Sequence, residues 1–342
     1  WIGYPETAGG LFTSGGSAAS LDAFVAAREA AGAPEGATVY VSDQAHTALT
    51  RAARIVGVRP ERIRKVRTDE RFRMDIDALE AAVDEDVAAG LSPIAVCGNA
   101  GTTNTGSVDP LEAMADFCDA EGIWLHIDGA YGGFAVLTER GRKLFTGLGR
   151  ADSITLDAHK WLFQPFEAGC LLVRDVRKLE RAFGVRPEYL QDTELGLEHV
   201  NFADRGLQLT RSFRALKVWM SIQTFGLDAF RRAVGRGIEL ADQAADFIES
   251  SAGLELLSPA SLGVVCFRTN PPGSELDSDS LERLNEGVQA RVIESRTAMM
   301  SSTRLAGTYS LRLCIMNHHT TWEDVEHTLR TCERFGEEAA SR

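Results

Sequence analysis

From residue 8 to residue 176, short apolar runs alternate with longer segments whose apolar positions recur every three or four residues. The runs Ala37–Ser42, Ile94–Asn99, Ile123–Asp128, Ser153–Asp157 and Gly169–Arg174 predict strands, each bounded by Gly, Pro or polar residues. Between them, Ser17–Ala31, Gln44–Val56, Ile76–Ala89 and Pro110–Ala120 predict helices. The last of these opens on a proline, which loses no needed hydrogen bond at a first helical position. Such alternation predicts an α/β layer built on a mostly parallel sheet.

Val185 to Leu209 has weak periodicity and predicts a long loop of the kind that forms active-site lids. A helical pattern then runs from Arg211 to Ser250, broken near Gly226. Beyond it come a strand (Val264–Arg268), a helix (Ser280–Glu294), a hairpin through Met299–Met316, and a helix opening at Thr320. Thr320 and Glu323 there have the spacing of a capping box. The division is a large domain over residues 1–226, a bridging helix over 227–250 and a small α+β domain over 251–342.

Composition narrows the class without naming it. A hydrophobic fraction of 44% and a charged fraction of 25% are ordinary for a globular chain. The net charge of -13 repels nucleic-acid backbone and anionic membranes, and the basic stretch Arg51 to Arg73 is interleaved with Glu61, Asp69 and Glu70. The 6 cysteines are scattered, with no CxxC pair of a zinc or redox site, which points away from a metal centre and towards a reducing cytoplasm. No apolar stretch is long enough to span a bilayer as a helix, and no leader pattern is visible.

Five motifs stand at the ends of predicted elements. Asp157-Ala158-His159-Lys160-Trp161 follows a strand, where α/β folds place their ligands. Trp124 to Tyr131 is a strand ending in Asp128 and small residues; Asp128 is either a turn cap or a buried carboxylate facing a cationic ring. Thr13-Ser14-Gly15-Gly16-Ser17 opens the first helix, either as an ordinary N-cap or as an anion site made of free N–H groups. His46 in Asp43-Gln44-Ala45-His46 is open to two readings, a helix cap or a ring stacked on a planar ligand. Gly101-Thr102-Thr103-Asn104-Thr105-Gly106 follows another strand and offers threonine hydroxyls.

Taken in order, TSGGSAAS, SDQAH, GTTNTGSVDP, WLHIDGAYGG, DAHKW and RSFRALKVW resemble the group II pyridoxal-phosphate-dependent decarboxylases, which include aromatic L-amino-acid and glutamate decarboxylases. The resemblance covers residues 1 to 335. It implies the fold-type-I architecture of the aspartate aminotransferase superfamily, a large α/β domain with a smaller α+β C-terminal domain. It also implies pyridoxal 5'-phosphate as cofactor and a homodimer with active sites at the subunit interface. By position it assigns Lys160 to the Schiff base, Asp128 to the pyridine nitrogen and His46 to the ring face. Gly16 and Ser17 fall at the phosphate turn, Ser153 and His159 near the phosphate or the Schiff base, Thr103 near the cofactor hydroxyl, and Ala130 behind the ring.

Three departures accompany it. The family's N-terminal segment of about a hundred residues is expected to be missing here. Position 157 is Asp where members carry Asn or Ser, and the loop tyrosine that reprotonates substrate carbon in aromatic decarboxylases is replaced by Phe202. Tyr189 and His199 are the nearby candidates for that proton, His199 being favoured because imidazole titrates near neutrality. The implied activity is decarboxylation of an L-amino acid, aromatic or similar, to its amine with release of CO2. The alternatives are decarboxylation with oxidative deamination to an aldehyde, and a non-catalytic scaffold.

Overall fold

A computed structural model describes residues 1–184 and 200–341. The first seven strands are β1 (Gly9–Thr13), β2 (Ala37–Ser42), β3 (Ile63–Val66), β4 (Ser92–Asn99), β5 (Trp124–Gly129), β6 (Ser153–Asp157) and β7 (Gly169–Val173). They form one sheet in the order β1-β7-β6-β5-β4-β2-β3. Every neighbouring pair is parallel except those of β7, which runs antiparallel to both β6 and β1. Its short connection from β6 explains the reversal, since a parallel return needs a crossover of a dozen or more residues.

Helices α1 (Gly16–Ala30), α2 (Thr47–Ile55), α3 (Ile76–Ala88), α4 (Leu111–Glu121), α5 (Glu139–Leu144), α6 (Ala158–Trp161) and α7 (Arg177–Phe183) connect the strands. Alternation along the strands sorts their side chains into two cores. Val39, Val41, Leu171 and Val173 pack with α1, α2 and Leu179 of α7; Tyr40, Val96, Ile127 and Ile154 pack with α3 and α4 on the other face.

Helix α8 (Arg214–Phe225) ends at Gly226, whose φ of 74° breaks the helical path before α9 (Leu227–Ser250). Phe230, Val234 and Ile238 of α9 join the large-domain core, whereas Leu240, Ala241, Ala244 and Ile248 join a third one. That core is built on β8 (Leu254–Leu256), β9 (Val264–Thr269), β10 (Ser301–Leu305) and β11 (Thr308–Cys314), an antiparallel sheet ordered β10-β11-β9-β8. Helices α10 (Ser278–Glu294) and α11 (Trp322–Ala340) cover it.

Two helix starts differ from expectation. Pro110 is the N-cap of α4, one place before its first helical residue. The capping box of α11 is Thr321 with Asp324 rather than Thr320 with Glu323: Asp324 N donates to Thr321 Oγ1 at 3.3 Å and Thr321 N to Asp324 Oδ2 at 2.9 Å. Both pairs have the same spacing, but the Thr320 N–H is already used in a turn to the Asn317 carbonyl. Among the described residues no helix is long and apolar enough to cross a membrane, and all 6 cysteines are free thiols.

Asp22 ties α1 to the segment that follows residue 199. Its Oδ1 accepts only a long bond from Leu207 N, at 3.4 Å. Burial pushes its carboxyl up to about 6, against smaller opposing pulls from the Leu207 N–H and from Arg211. A folded-state value above the ordinary 3.8 means that ionisation costs stability: the cost is absent below about pH 4 and complete above about pH 6. Asp22→Asn is therefore expected to be more stable than wild type at pH 7 by on the order of 1–3 kcal/mol, with the two melting temperatures converging by about pH 4. Equal melting at pH 7 would mean that Leu207 and Arg211 fully offset the buried charge.

Candidate active site

The C-terminal ends of four parallel neighbours, β2, β4, β5 and β6, open on one side of the sheet, the place where α/β sheets bind ligands. Each delivers one sequence-predicted residue: His46 after β2, Thr103 after β4, Asp128 at the end of β5 and Lys160 after β6. The start of α1 closes the cleft. Gly169 allows this, because a Cβ there would lie 2.4 Å from Gly15 Cα. A Cβ on Gly16 would stand 3.1 Å from both Ala130 Cβ and Asp157 Oδ2. Small residues at these positions let the helix start press against β6 and the turn after β5.

No side chain caps the first turn of α1, which leaves backbone N–H groups and the positive end of a 15-residue helix directed at the cleft. Ser17 is exposed beside them. Asp128 is half-buried at the cleft floor, and its Oδ1 accepts the Ala130 N–H at 3.0 Å. Burial holds its carboxyl above the ordinary range, while the Ala130 bond, Lys160 and His46 pull it back and Asp157 adds to the rise. His46 is the N-cap of α2, with Nδ1 accepting from Ala48 N at 3.2 Å, yet its ring remains exposed. The capping role is therefore present and leaves the ring face open.

Lys160 Nζ lies 3.0 Å from Asp157 Oδ2, and the lysine side chain is 40% exposed. His159 Nδ1 accepts from Ala168 N at 3.0 Å and its ring stacks on Phe166 at 4.1 Å. Burial draws its imidazole below the ordinary value, against the pull of Asp157. Thr103 is exposed at its loop tip. The neighbouring Asn104 anchors that loop to the small domain through Thr303 Oγ1 at 2.9 Å and Arg312 Nε at 3.0 Å.

Ser153 stands apart from this group, and the expectation for it is corrected. It begins β6, fully buried, with Oγ accepting Trp124 Nε1 at 2.8 Å and paired with His126 Nδ1 at 2.8 Å. His126, drawn down to about 3 by burial, is neutral, and its Nε2 meets Thr155 Oγ1 at 3.3 Å. Ser153 thus belongs to a buried polar ladder at the opposite end of the strand from Lys160. His199 and Tyr189 lie outside the described residues. Phe202 opens a short 3-10 turn, 46% exposed, with Arg205 and Arg211 each 5.8 Å from its ring centre.

Sequence reasoning missed Asp157 as a member of the site and noted it only as a departure. The available signal was the alternation of polar residues at 153, 155 and 157 on a fully buried strand, which marks a polar face directed at something other than water.

The residues fit pyridoxal 5'-phosphate. An uncapped helix start suits a phosphate, a carboxylate raised by burial suits a cationic ring nitrogen, and an accessible lysine amine suits an aldehyde. Asp157 Oδ1, buried without a hydrogen-bond partner, marks polar capacity that the protein alone leaves unused.

The family model described as the pyridoxal-dependent decarboxylase conserved domain matches residues 2–270. An aromatic-L-amino-acid decarboxylase of Bacillus atrophaeus is 42% identical over 343 residues, covering 99% of this chain and 71% of that protein. A phenylacetaldehyde synthase of Arabidopsis thaliana is 33% identical over 317 residues, covering 90% of this chain; the chain spans 64% of its length. The crystal structure of Oryza sativa TDC with PLP and tryptamine superposes with a TM-score of 0.91 at 29% identity, covering 97% of this chain and 71% of that one.

Proposed function

The chain belongs to the pyridoxal-dependent decarboxylase family, and from that premise we propose that it converts an aromatic L-amino acid to its amine with release of CO2. The observation that carries this reading is the placement of Lys160 and Asp128 at the same end of two adjacent parallel strands, facing the uncapped start of α1.

Pyridoxal 5'-phosphate, when bound, supplies the electron sink for the bond broken as CO2 leaves. Lys160 supplies the amine that holds the cofactor. Asp128 would keep a proton on the pyridine nitrogen, because a carboxylate destabilised by burial gains most from a cationic neighbour. The N–H groups of Gly16 and Ser17 would hold the phosphate, and the exposed His46 ring would be available to the cofactor ring. His159 orders the loop to Ala168 beside Lys160; the exposed Thr103 would be available to the cofactor hydroxyl, and the small Ala130 would stand behind the cofactor ring. Ser153 has no part in this set.

The functional unit in this reading is a homodimer with its active sites at the interface. The exposed apolar side chains Phe213, Leu216, Trp219 and Met220 on and before α8 support it, as does an apolar cavity of 980 Å³ lined by Tyr4, Leu11, Phe12, Phe134 and Val218. A cytoplasmic location accords with the free thiols.

The test is CO2 release from a panel of amino acids, with amine, aldehyde and ammonia measured separately. Amine equal to CO2 is expected. Aldehyde and ammonia in its place would establish the second reading, oxidative deamination with molecular oxygen as oxidant. Phe202 favours that alternative, since its side chain has no proton to return to carbon. If His199 is the donor in the amine-forming reaction, His199→Gln slows amine release or diverts product to aldehyde, while Tyr189→Phe changes nothing. Restoration of amine by Phe202→Tyr in an aldehyde-forming protein would place the lost donor at 202.

A further inference from the structure

Asp157 ends β6 directly before the turn of helix that carries Lys160. Its side chain is only 3% exposed. Oδ2 lies 3.0 Å from Lys160 Nζ and 3.6 Å from His159 Nε2, and would meet a Cβ on Gly16 at 3.1 Å, so it faces the first turn of α1. Oδ1 is buried with no partner. Other groups face this carboxylate from the packed elements: Asp128 from β5, the half-buried Cys170 thiol from β7, and Lys217 of α8 acting through His159. The start of α1 contributes Gly15, Gly16 and Ser17, with no charged side chain.

Lys160 Nζ stands 3.0 Å from this carboxylate, and an ammonium paired there has no lone pair with which to attack a carbonyl. The carboxylate also stands against the N–H groups suited to a phosphate, where two anions would repel at close range. Transfer of one proton removes both obstacles.

We propose that Asp157 is the proton acceptor that frees Lys160 for attachment of the cofactor, a role that rests on the pyridoxal-phosphate reading above. Oδ2 takes one proton from the Lys160 ammonium. The freed lone pair attacks the aldehyde carbon, C=O is exchanged for C=N, and the carbonyl oxygen leaves as water with the two remaining amine hydrogens. Nothing is oxidised or reduced. The neutral acid formed at Asp157 then donates a hydrogen bond towards the phosphate instead of repelling it.

The test follows cofactor uptake rather than turnover. Whole protein stripped of cofactor is mixed rapidly with pyridoxal 5'-phosphate between about pH 6 and pH 10, and the visible band of the imine is recorded. Wild type is compared with Asp157→Asn and Asp157→Ser. Both variants are expected to load about 10- to 100-fold more slowly at pH 7, with the gap closing towards about pH 10, where lysine side chains lose their proton to water. Equal rates at pH 7 would overturn the proposal. So would faster loading by the variants, which would leave Asp157 as a repelling charge only. A lag of the same size at every pH would also overturn it, because that reports lost structure rather than a lost base. Borohydride reduction and peptide mapping of loaded wild type separate this from the premise: a label on another lysine, or none, defeats the pyridoxal-phosphate reading itself. A label on Lys160 without the pH-dependent lag defeats only the role of Asp157.

Discussion

Lys160→Ala is expected to abolish CO2 release and the borohydride-trapped cofactor, because no other described lysine offers an accessible amine at the cleft. Lys178 Nζ is bound to Asp152 at 2.8 Å and lies over the Trp124 ring, at the far end of β5. Lys143 pairs with Glu139 on an exposed helix, and Lys217 Nζ donates to the Pro165 carbonyl at 3.0 Å. Removing Lys160 also strips Asp157 of its nearest cation, so lost activity alone would not separate chemistry from folding. Lys160→Arg makes that separation. It keeps a cation beside Asp157 but forms no stable imine, and is expected to retain near-wild-type melting with activity below about one part in a thousand. Trapped label on Lys143, Lys178 or Lys217 in wild type would overturn the assignment.

Asp128→Asn is expected to fold, to retain cofactor and to lose several orders of magnitude in rate. The substitution is informative because asparagine keeps a side-chain oxygen that can accept the Ala130 N–H now bound at 3.0 Å, so the local turn survives. What disappears is the charge, and a neutral amide cannot hold the proton on a pyridine nitrogen. A variant within about tenfold of wild type, only about 1.4 kcal/mol of barrier, would reduce Asp128 to a turn residue. Stability moves the other way. The carboxyl is held above its ordinary range by burial, so its ionisation destabilises the cofactor-free fold at neutral pH. Cofactor-free Asp128→Asn should therefore melt slightly above wild type at pH 7, and the difference should vanish once the pH falls below the ordinary aspartate range. Bound cofactor is expected to reverse the order in wild type's favour.

Much of this protein was legible along the chain. The runs Ala37–Ser42 and Ser153–Asp157 coincide with β2 and β6, and the breaks at Gly226 and around the glycines after Thr13 appear where local chemistry puts them. Strand and helix periods, and the end of a strand at which a motif stands, are properties of neighbouring residues, so sequence alone brought Lys160, Asp128, His46 and Thr103 to one edge. Strands β1 and β3 escaped notice, because Gly9 and Gly10 in one and Arg64 and Lys65 in the other interrupt the apolar pattern that pairing later tolerates.

Tertiary structure alone decided the rest. Period two assigns Ser153 and Asp157 to the same face of β6 but does not say which partners each will meet. Cross-strand register places Ser153 against His126, deep in the sheet, while the approach of α1 and the turn into Lys160 place Asp157 at the cleft. The antiparallel course of β7, the register of the capping box at Thr321 and the sharing of α9 between two cores were settled in the same way. The physical reason is common to all of them. Local sequence sets which groups a segment presents, whereas competition among distant segments for the same hydrogen bonds and the same buried space sets what each group finally touches.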